Sequence, residues 1–487
     1  MFIGARLMTR TKIICTLGPA CDSEDVLRGM IRAGMSVARL NFSHGSHAEH
    51  RQRIALLRRV AAEEGANVAL LGDLQGPKFR IGRLRDDAIT LDRGQRVVLS
   101  TKPDDQAIPM PHPDVLAAVQ LGQRLLLDDG AIVLRAVERL NAAAVACEVV
   151  VGGRLSSNKG VTVPGLVLAG PVLTPKDRED VQFAITQGMD ALAASFVRNA
   201  EDIHALRRLA RDLGSDPLIV AKIEKPEALA DLPAIVRASD VVMVARGDLG
   251  VESAPEEVPF YQKRIILACL RAGKPVITAT QMLQSMIHAP QPTRAEASDV
   301  ANAVLDGSDA LMLSGETAIG EFPLQAVQAM ARIAAHAEAS ALYQPEKLLD
   351  TARDLLEEEF TAPTDRQTDA ITTAAAQIAE SISAKAIVCA SASGFTARMV
   401  SRHRPRMPIV CLTPYQRTQR YTAFMWGVQT VITETRRADA ESLFSAACQA
   451  ARQLGYAGPS DHIVVTAGLP LGSGAGHTNV IRVMQVS

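Results

Sequence analysis

The chain has 487 residues, which is too long for one hydrophobic core, because single cores stop growing at roughly 250–300 residues. Hydrophobic residues make up 47% of the sequence and the formal net charge is -1, so bulk electrostatics exclude nucleic acid and anionic membranes as expected partners. Seven cysteines without a CxxC pair predict reduced, buried thiols and no metal cluster. The N-terminal sequence lacks a signal peptide's apolar region, and no stretch is long enough to span a membrane, so we expect a cytoplasmic protein.

Eight short apolar runs alternate with helical patterns along the first two thirds of the chain. Each run ends abruptly in polar or glycine-rich sequence, as in TKIICTLGPA near the N-terminus and DALMLSGETA at residues 309–318. Continuous apolar strands that alternate with helices are typical of a parallel sheet covered by helices. Eight such units predict an α/β fold of the (β/α)8 TIM-barrel type.

The regular spacing of the strands breaks once, after the third run. Residues 77–171 contain the β-rich segments RVVLS, RLLLDDGAIVLRAV and AAVACEVVVGG, which predict a small all-β domain inserted into the barrel. Strand and helix patterns resume after a polar connection near residue 343. We therefore predict a barrel domain from 1–76 and 172–342, the inserted domain from 77–171, and a third, α/β domain from 343–487.

Polar side chains follow the predicted strands at their carboxyl ends, which is where the active sites of TIM barrels lie. Because side chains alternate between faces along a strand, residues at i and i+2 point the same way. Four rows have this spacing: Arg39, Asn41 and Ser43; Lys222 and Glu224; Arg246 and Asp248; Thr278 and Thr280. We expect these rows to form the mouth of the barrel.

Lys222 and Glu224, in VAKIEKPE, allow two interpretations. One is a surface ion pair at the end of a strand. The other is a ligand site, because charges at the end of an apolar strand are costly to bury unless they are paired or bound. Glu224 and Asp248 would then supply oxygen ligands to Mg²⁺, and Lys222 would neutralise charge on a transferring phosphoryl group.

The whole chain resembles the pyruvate kinase family. Ten segments carry the resemblance, in the family's order: TLGPA, ARLNFSHG, GDLQGPKFR, SNKGVTVPG, ASFVR, AKIEKPEAL, MVARGDLGVE, ATQMLQSM, PTRAEASDVANAVLDG and LSGETAIG. The resemblance implies phosphoryl transfer from phosphoenolpyruvate to ADP, giving pyruvate and ATP. It also implies that the inserted β-barrel is a lid, that the C-terminal domain is regulatory, and that the protein is a homotetramer.

The resemblance assigns roles at the mouth of the barrel. Glu224 and Asp248 would bind Mg²⁺, with Mn²⁺ as an alternative, and Lys222 would stabilise the phosphoryl group in flight. The backbone of Gly247 and Asp248, together with Thr280, would hold the substrate carboxylate, and Thr280 would lie near the face where the enolate is protonated.

The resemblance also implies the contacts to phosphate and nucleotide. Arg39 and Arg80 would reach the phosphates of the substrates. Four further residues would contribute to the nucleotide side: Asn41, Ser43, His44 and Lys159.

One segment of the chain departs from the family pattern. Many pyruvate kinases have threonine at the position of Leu74 and glutamate at that of Lys78, and they use K⁺ held by residues that match Asn41, Ser43 and Asp73. A lysine ammonium brings the same single positive charge to the site and would repel a second cation. We therefore predict that Lys78 substitutes for K⁺ and that the chain belongs to a potassium-independent subgroup.

A loop of the C-terminal domain, SASGFT at residues 391–396, allows two interpretations. It is either an ordinary capped loop or, as in some members of the family, the phosphate loop of an allosteric effector. The effector interpretation would involve Ser391, Ser393, Gly394 and Thr396, with a phosphorylated metabolite such as a sugar phosphate or AMP as the ligand.

Two other functions fit parts of the pattern. A Schiff-base aldolase on the same barrel would use Lys222 as a nucleophile, but Glu224 two residues away would keep that lysine protonated. A non-catalytic metabolite-binding relative would be recognised by the loss of Lys222, Glu224, Asp248 or Arg39. All four residues are present.

Overall fold

The computed structural model describes residues 9–102, 107–166, 172–356, 366–433, 440–469 and 477–486. Eight parallel strands form a closed barrel in which each strand pairs with its neighbours in chain order and the eighth pairs with the first. The barrel strands are Lys12–Thr16, Met35–Asn41, Ala69–Asp73, Ala191–Ala194, Leu218–Ile223, Val241–Ala245, Val276–Ala279 and Ala310–Leu313. These are the eight apolar runs of the sequence, so the predicted TIM barrel is confirmed.

Helices cover the outside of the barrel and connect its strands. Their starts follow ordinary capping rules: Ser46 Oγ accepts a hydrogen bond from Glu49 N, and the Glu49 carboxylate accepts one from Ser46 N. The helices of this layer are Glu24–Arg32, His47–Glu63, Pro175–Thr186, Ala200–Asp212, Leu232–Ala238, Arg246–Glu252, Val258–Ala272, Arg294–Leu305, Gly315–Ala318, Pro323–Ala339 and Pro345–Leu355, with short 3-10 turns at Pro19–Cys21, Pro226–Ala230 and Gln284–Ile287.

Residues along each barrel strand alternate between two apolar layers. Ile14, Val37, Leu71 and Val220 belong to the cluster that fills the barrel, whereas their neighbours along each strand pack against the helices. The strand-end residues Arg39, Asp73 and Lys222 each lie two positions beyond an interior residue. Their side chains are therefore directed to the inside of the barrel at its carboxyl end.

Two sheets, antiparallel except for the pairing of Arg96–Ser100 with Ile108–Pro109, lie in the sequence interval of the predicted insertion. One pairs Ala88–Leu91 with Gly153–Ser156, and a helix, Pro113–Ala118, accompanies the other. The second sheet has six strands in the order Val161–Thr162, Arg124–Leu127, Ile132–Asn141, Ala144–Val151, Arg96–Ser100 and Ile108–Pro109. The β-rich character of this interval agrees with the sequence, while the boundary at residue 171 lies outside the described residues and stays a prediction.

The C-terminal α/β unit has a five-stranded sheet in the order Val428–Ile432, Ile409–Thr413, Ala386–Ala390, His462–Ala467 and Val480–Gln485. Only the last strand is antiparallel to its neighbour. Its helices are Arg366–Ser381, Phe395–Ser401, Gln416–Thr422 and Ala440–Gln453. Phe424, which follows the third of these helices, is fully buried and joins the apolar cluster inside the barrel. The unit is therefore anchored at the end of the barrel opposite the strand-end polar residues.

Two expectations about the chain as a whole are also answered by the structure. All seven cysteines are buried and unpaired, as predicted. Within the part of the chain that the structure describes, every helix is too short or too polar to cross a bilayer.

Candidate active site

Four charged residues from three strands form a buried cluster at the carboxyl end of the barrel. Arg39 Nε lies 2.6 Å from Asp73 Oδ2, and Lys222 Nζ lies 3.1 Å from Asp73 Oδ1. The same ammonium lies 2.8 Å from Glu224 Oε1. Arg39 and Lys222 are 8% and 9% exposed, and both carboxylates are 1% exposed. Two positive and two negative charges therefore alternate in a small, water-poor space. The predicted rows that contain Arg39 and Lys222 meet there, through the contacts that both side chains make with Asp73.

Burial and charge act against each other on these groups. Although burial opposes ionisation, Lys222 and Arg39 hold the pKa of Asp73 below its usual value. Burial also disfavours the ammonium of Lys222, but Asp73 and Glu224 outweigh that effect and raise its pKa. Lys222 is therefore a permanent cation in this setting.

Two hydroxyl groups add hydrogen bonds to the cluster, and sequence reasoning missed both. Lys222 Nζ donates to Ser195 Oγ over 2.6 Å, and Ser195 Oγ donates to Leu74 O over 2.7 Å. Arg39 Nη1 donates to Thr16 Oγ1 over 2.9 Å. Thr16 and Ser195 lie at the carboxyl ends of barrel strands, and this position was the feature of the sequence that could have indicated them. Neither side chain is charged, so neither stood out among the other polar residues.

Glu224 and Asp248 are the residues suited to holding a divalent cation. Burial raises the pKa of Glu224, and the nearby Asp248 carboxylate adds to that increase. A cation between two such carboxylates would relieve their repulsion. No group of three or more His, Cys, Asp or Glu residues suited to a metal occurs within the described ranges. Two carboxylates with open positions fit Mg²⁺, which keeps water or substrate oxygens as its other ligands.

The side chains of Arg246 and Thr278 do not lie where the predicted rows place them. A helix begins at Arg246, so the side chain is not on a strand, and its guanidinium lies 2.7 Å from both carboxylate oxygens of Asp299. Thr278 belongs to the layer facing the helices, where its hydroxyl shares a 2.8 Å hydrogen bond with Ser308 Oγ. The rows Arg246 with Asp248 and Thr278 with Thr280 were wrong, because Arg246 already belongs to a helix and Thr278 faces the helices outside the barrel.

Thr280 lies at the mouth of the barrel in an unusual backbone conformation. Its φ is +78° and that of Gln281 is +55°, a region that non-glycine residues seldom occupy. Thr280 O accepts a 2.7 Å hydrogen bond from Arg246 Nη2. A Cβ atom on Gly247 would lie 2.6 Å from Thr280 Cγ2, so the absence of a side chain at residue 247 lets the two segments approach.

The predicted nucleotide-side residues surround the same mouth. Partial desolvation, followed by the charges of Arg80, Arg39 and Lys78, lowers the pKa of His44. Arg80 Nη1 donates to Asn158 O over 3.0 Å, which ties this residue to the inserted sheets. Asn41 Oδ1 accepts a 3.1 Å hydrogen bond from Ser43 N. The nucleotide-binding roles of these residues stay predictions.

Lys78 and Lys159 contact a pair of adjacent acids in the inserted region. Lys159 Nζ lies 2.8 Å from Asp128 Oδ1. Lys78 Nζ lies 3.5 Å from Asp129 Oδ1 and 3.7 Å from Asp248 Oδ1. Lys78 therefore spans the space between the insertion and the barrel mouth, and its ion pairs in the described residues are with these acids and not with Asp73.

The predicted effector loop follows the central strand of the C-terminal sheet, Ala386–Ala390. Gly394 has a φ of +79° and precedes the helix Phe395–Ser401. Ser393 is exposed, whereas Thr396 is buried and shares a 2.9 Å hydrogen bond with Thr478 Oγ1. The loop can present Ser393 and backbone groups to a ligand, while the hydroxyl of Thr396 is already occupied.

Comparison with known proteins decides the family. The model of the pyruvate kinase barrel domain matches residues 8–327, and that of the pyruvate kinase alpha/beta domain matches residues 369–484. The chain belongs to the pyruvate kinase family. It is 45% identical to a pyruvate kinase of Agrobacterium vitis, over 100% of this chain and 98% of that protein. It is 42% identical to a pyruvate kinase of Staphylococcus aureus, over 98% of this chain and 80% of that protein.

A solved structure gives the same result for the fold. The crystal structure of a pyruvate kinase from Cryptosporidium parvum is similar with a TM-score of 0.89 and 34% sequence identity. The similarity covers 98% of this chain and 96% of that one. The chain is therefore a phosphotransferase of the pyruvate kinase family, with the family's barrel and C-terminal α/β domains.

Proposed function

We propose that the chain transfers a phosphoryl group from phosphoenolpyruvate to ADP in a Mg²⁺-dependent reaction that needs no K⁺, as the last step of glycolysis. The observation that supports this most directly is the cluster of Arg39, Asp73, Lys222 and Glu224, which aims two buried cations at the barrel mouth. Phosphoryl transfer depends mainly on positioning and on neutralising charge, and such a cluster supplies both.

Lys222 and Arg39 stabilise the phosphoryl group as it moves. Lys222 is fixed by Asp73, Glu224 and Ser195, so it needs no reorganisation when charge develops on the phosphoryl oxygens. Arg39 is oriented by Asp73 and Thr16. Removing Asp73 or Thr16 would leave the guanidinium of Arg39 in place but free to rotate away from the phosphoryl group.

Glu224 and Asp248 would hold Mg²⁺, with Mn²⁺ as an alternative, and the bound ion would neutralise substrate phosphate and carboxylate oxygens. The backbone around Gly247, together with Thr280, binds the substrate carboxylate in this scheme. Gly247 lets the side chain of Thr280 approach closely because it has no Cβ atom, and Arg246 fixes the carbonyl group of Thr280.

The nucleotide lies between the barrel mouth and the inserted domain in this proposal. Asn41, Ser43, His44 and Arg80 border the barrel side. Lys159 approaches from the insertion, where Asp128 holds it until an anionic nucleotide competes for its ammonium. Closure of the inserted domain over the mouth would exclude water until transfer is complete, as in other enzymes with lids.

The reaction is tested by measuring pyruvate formation from phosphoenolpyruvate and ADP in a coupled assay. We expect ATP and pyruvate in equal amounts when Mg²⁺ is present, and no turnover when it is chelated. Product formation that continues without a divalent cation would contradict the proposed metal site. Borohydride trapping of a carbonyl substrate on Lys222 would instead support an aldolase.

The proposal that the protein requires no K⁺ rests on Lys78. Its ammonium lies near Asp248 and adds a fixed positive charge at the barrel mouth. Burial lowers the pKa of His44, and the charges of Arg80, Arg39 and Lys78 lower it further, so these side chains would also oppose an additional monovalent cation beside His44. In this proposal Lys78 is the substitute for a K⁺ ion that Asp73, Asn41 and Ser43 would otherwise hold.

Replacing Lys78 tests this assignment. We expect the unmodified protein to be fully active in tetramethylammonium buffer and Lys78→Glu to become K⁺-dependent, with at least about tenfold activation by K⁺. The matched control is Lys102→Glu, which replaces an exposed lysine that follows the strand Arg96–Ser100 and should stay indifferent to K⁺. Steep activation of the unmodified protein by K⁺ would refute the proposal.

We also propose regulation through the C-terminal unit. A phosphorylated effector would bind the loop formed by Ser391, Ser393 and Gly394, with Thr396 as a structural anchor below it. Initial rates at subsaturating phosphoenolpyruvate, with and without glucose 6-phosphate or AMP, test this role. Homotetramer formation and a cytoplasmic location complete the proposal, and analytical ultracentrifugation and cell fractionation test them.

A further inference from the structure

The chain crosses between the barrel and the inserted region twice, and both crossings contact the side chain of Asp177. The first crossing, residues 74–80, follows the third barrel strand, and the second, residues 172–174 in the described part of the chain, leads into the helix that carries Asp177. Gly76 N, on the first crossing, donates to Asp177 Oδ1 over 3.0 Å. Thr174 N and Oγ1, on the second crossing, donate to Asp177 Oδ2 over 2.8 and 2.6 Å. Because Gly76 and Asp177 are 101 positions apart, one carboxylate joins two distant segments of backbone.

Asp177 does more than cap its own helix. Its bonds with Thr174 form a capping box, as the bonds between Glu49 and Ser46 do at another helix of the barrel. The Glu49 carboxylate is exposed and binds Ser46, whereas Asp177 is 0% exposed and also binds Gly76. A carboxylate withdrawn from water is costly unless its oxygens accept hydrogen bonds, and three donors surround this one. The bond to Gly76 is therefore the part of the arrangement that helix capping does not require.

The first crossing packs against a residue that holds the candidate catalytic lysine. Gly76 has a φ of +67°, and a Cβ atom there would lie 2.9 Å from Ser195 Cβ, so the crossing can lie this close because residue 76 is glycine. Two positions earlier, Leu74 O accepts a 2.7 Å hydrogen bond from Ser195 Oγ. Ser195 Oγ in turn accepts a 2.6 Å hydrogen bond from Lys222 Nζ. Contacts therefore continue from Asp177 through Gly76 and Ser195 to the ammonium of Lys222.

A second buried carboxylate on the same helix has different partners. Asp180 is 1% exposed, and its oxygens lie 2.7 Å from His47 Nε2 and 2.6 Å from Lys176 Nζ. Neither partner belongs to a crossing, because His47 begins another helix of the barrel and Lys176 lies on the same helix as Asp180. Burial of a carboxylate in this helix does not by itself join the crossings. Asp180 is therefore a natural comparison for Asp177.

From these contacts we infer that Asp177 is a positioning residue, which fastens both crossings to one point of the barrel and thereby keeps Ser195 against Lys222. An inserted domain that closes over the barrel mouth must move relative to the barrel, and this movement would pull on Leu74 and Gly76. Because Asp177 holds the base of both crossings, the movement is confined to residues beyond them, and Lys222 keeps its place. The effect on turnover rests on the proposed reaction, whereas the effect on the crossings rests on their hydrogen bonds alone.

Hydrogen exchange followed by mass spectrometry tests the fastening of the crossings, on the full chain without Mg²⁺ or substrates. Asp177→Asn keeps the size of the side chain but replaces one acceptor oxygen by an amide group that only donates. One of the two crossings then lacks its acceptor. We expect amide exchange in peptides covering 74–80 and 172–178 to become faster by at least about tenfold, while exchange in the barrel strand Val241–Ala245 stays unchanged.

Two variants of the same helix are the controls. Asp180→Asn also removes a buried carboxylate, but it should leave exchange at 74–80 unchanged. Glu179→Gln, at an exposed position, should change neither exchange nor kcat. These controls separate the loss of the link between the crossings from the loss of a carboxylate in this helix.

Thr174 provides the test if Asp177→Asn proves unstable. Thr174→Val keeps the shape of the side chain and removes the hydroxyl group that donates to Asp177. We expect faster exchange at 172–178 in this variant. Thr174→Ser keeps the hydroxyl group and should exchange as slowly as the unmodified chain.

Turnover tests whether the crossings act on Lys222 through Ser195. We expect Asp177→Asn to lower kcat by about tenfold to a hundredfold in the pyruvate assay, because small displacements of a catalytic group have effects of that size. Ser195→Ala breaks the path between the first crossing and Lys222. In that background Asp177→Asn should lower kcat much less, whereas a variant that only reduces the folded fraction would lower kcat by the same factor in both backgrounds.

Three results would overturn the inference. They are unchanged exchange at 74–80 and 172–178 in Asp177→Asn, an equal acceleration of exchange in all peptides, and kcat losses of Asp177→Asn and Ser195→Ala that are fully additive. An equal acceleration would mean that Asp177 only stabilises the fold. Because exchange requires no turnover, the inference can fail while the proposed reaction stands. Faster exchange confined to the crossings would support the inference even if the chain formed no ATP.

Discussion

At the scale of single residues, Lys222 shows how the surroundings of a side chain select its chemistry. A nucleophilic lysine must lose its proton, and a lysine that stabilises a phosphoryl group must keep it. Asp73 and Glu224 flank the ammonium and raise its pKa, in spite of its burial. This arrangement disfavours the Schiff-base alternative and favours electrostatic stabilisation.

Replacing Lys222 by methionine should therefore abolish activity without unfolding the chain. We expect kcat to fall by about 10³-fold or more, because the cation acts on charge that develops during transfer. The thermal midpoint should also fall, since Asp73 and Glu224 lose their shared counter-ion. Rates in the coupled assay, together with far-ultraviolet circular dichroism, measure the two effects.

Lys222→Arg is the companion variant in that experiment. It keeps the positive charge between the carboxylates, so the thermal midpoint should recover more than the rate does. Lys385→Met, on the exposed surface of the C-terminal unit, should change neither quantity. Near-normal phosphoryl transfer by Lys222→Met would show that the role assigned to Lys222 is wrong.

The sequence identified the charged members of the site because charges after apolar strands are unusual. Arg39, Lys222 and Glu224 follow interior positions of regular strands, so the i and i+2 rule places them correctly. Thr16 and Ser195 could not be distinguished in the same way, because hydroxyl residues at strand ends are common and usually only satisfy the backbone. Their partners become visible only when separate strands are brought together.

At the scale of elements, the segment after the seventh barrel strand depends on a helix for its shape. Thr280 and Gln281 both have positive φ, which costs about 1–3 kcal/mol for each non-glycine residue unless neighbouring groups enforce it. Arg246, at the first turn of the helix Arg246–Glu252, donates to Thr280 O and is itself fixed by Asp299. This pair holds Thr280 against Gly247.

Removing the arginine should release Thr280 from this conformation. We expect Arg246→Gln to lower kcat by about tenfold to a hundredfold, because misplacement by about 1 Å has effects of that size. Asp299→Asn should act in the same direction, and the double variant should lose less than the two single losses combined, since both residues form one unit. Arg264→Gln, an exposed arginine on the helix Val258–Ala272, is the control.

This prediction is tested by the steady-state kcat of Arg246→Gln, Asp299→Asn, the double variant and the control Arg264→Gln. If the effects of Arg246→Gln and Asp299→Asn are fully additive, the two residues do not act together on Thr280. An unchanged kcat in either variant would show that Thr280 keeps its conformation by itself.

At the scale of the whole molecule, the alternation of strands and helices predicted each domain type but not how the domains contact one another. The eight runs had to form a parallel barrel because they are apolar on both faces and joined by helices. The alternation of strands and helices does not predict that Phe424 packs inside the barrel at its amino-terminal end. It also does not predict that Arg404 is buried between the barrel and the C-terminal unit. Such contacts join residues about a hundred or more positions apart, and a local period carries no information about them.

Arg404 and Asp309 form a buried ion pair between the barrel and the C-terminal unit. Arg404 is 2% exposed, and its Nη1 and Nη2 donate to the two carboxylate oxygens of Asp309 over 2.9 and 3.0 Å. Nη2 also donates to Gly307 O over 2.7 Å. The guanidinium lies 5.0 Å from the centre of the Trp426 ring, and Trp426 N donates to Asp309 Oδ1. The only tryptophan of the chain therefore reports on this link.

Replacing Arg404 by glutamine should loosen the two units from one another. The change leaves Asp309 buried with its main charge partner removed, and the loss from breaking such a buried pair is about 3–5 kcal/mol. We expect an earlier urea transition detected by Trp426 fluorescence, with a shift of the emission to longer wavelength as water reaches the ring. Arg406→Gln, an exposed arginine two residues away, should leave that transition unchanged. If Arg404→Gln unfolds at the same urea concentration as the unmodified chain, with the same emission maximum, the link does not hold the domains together, and the apolar contact of Phe424 must do so instead.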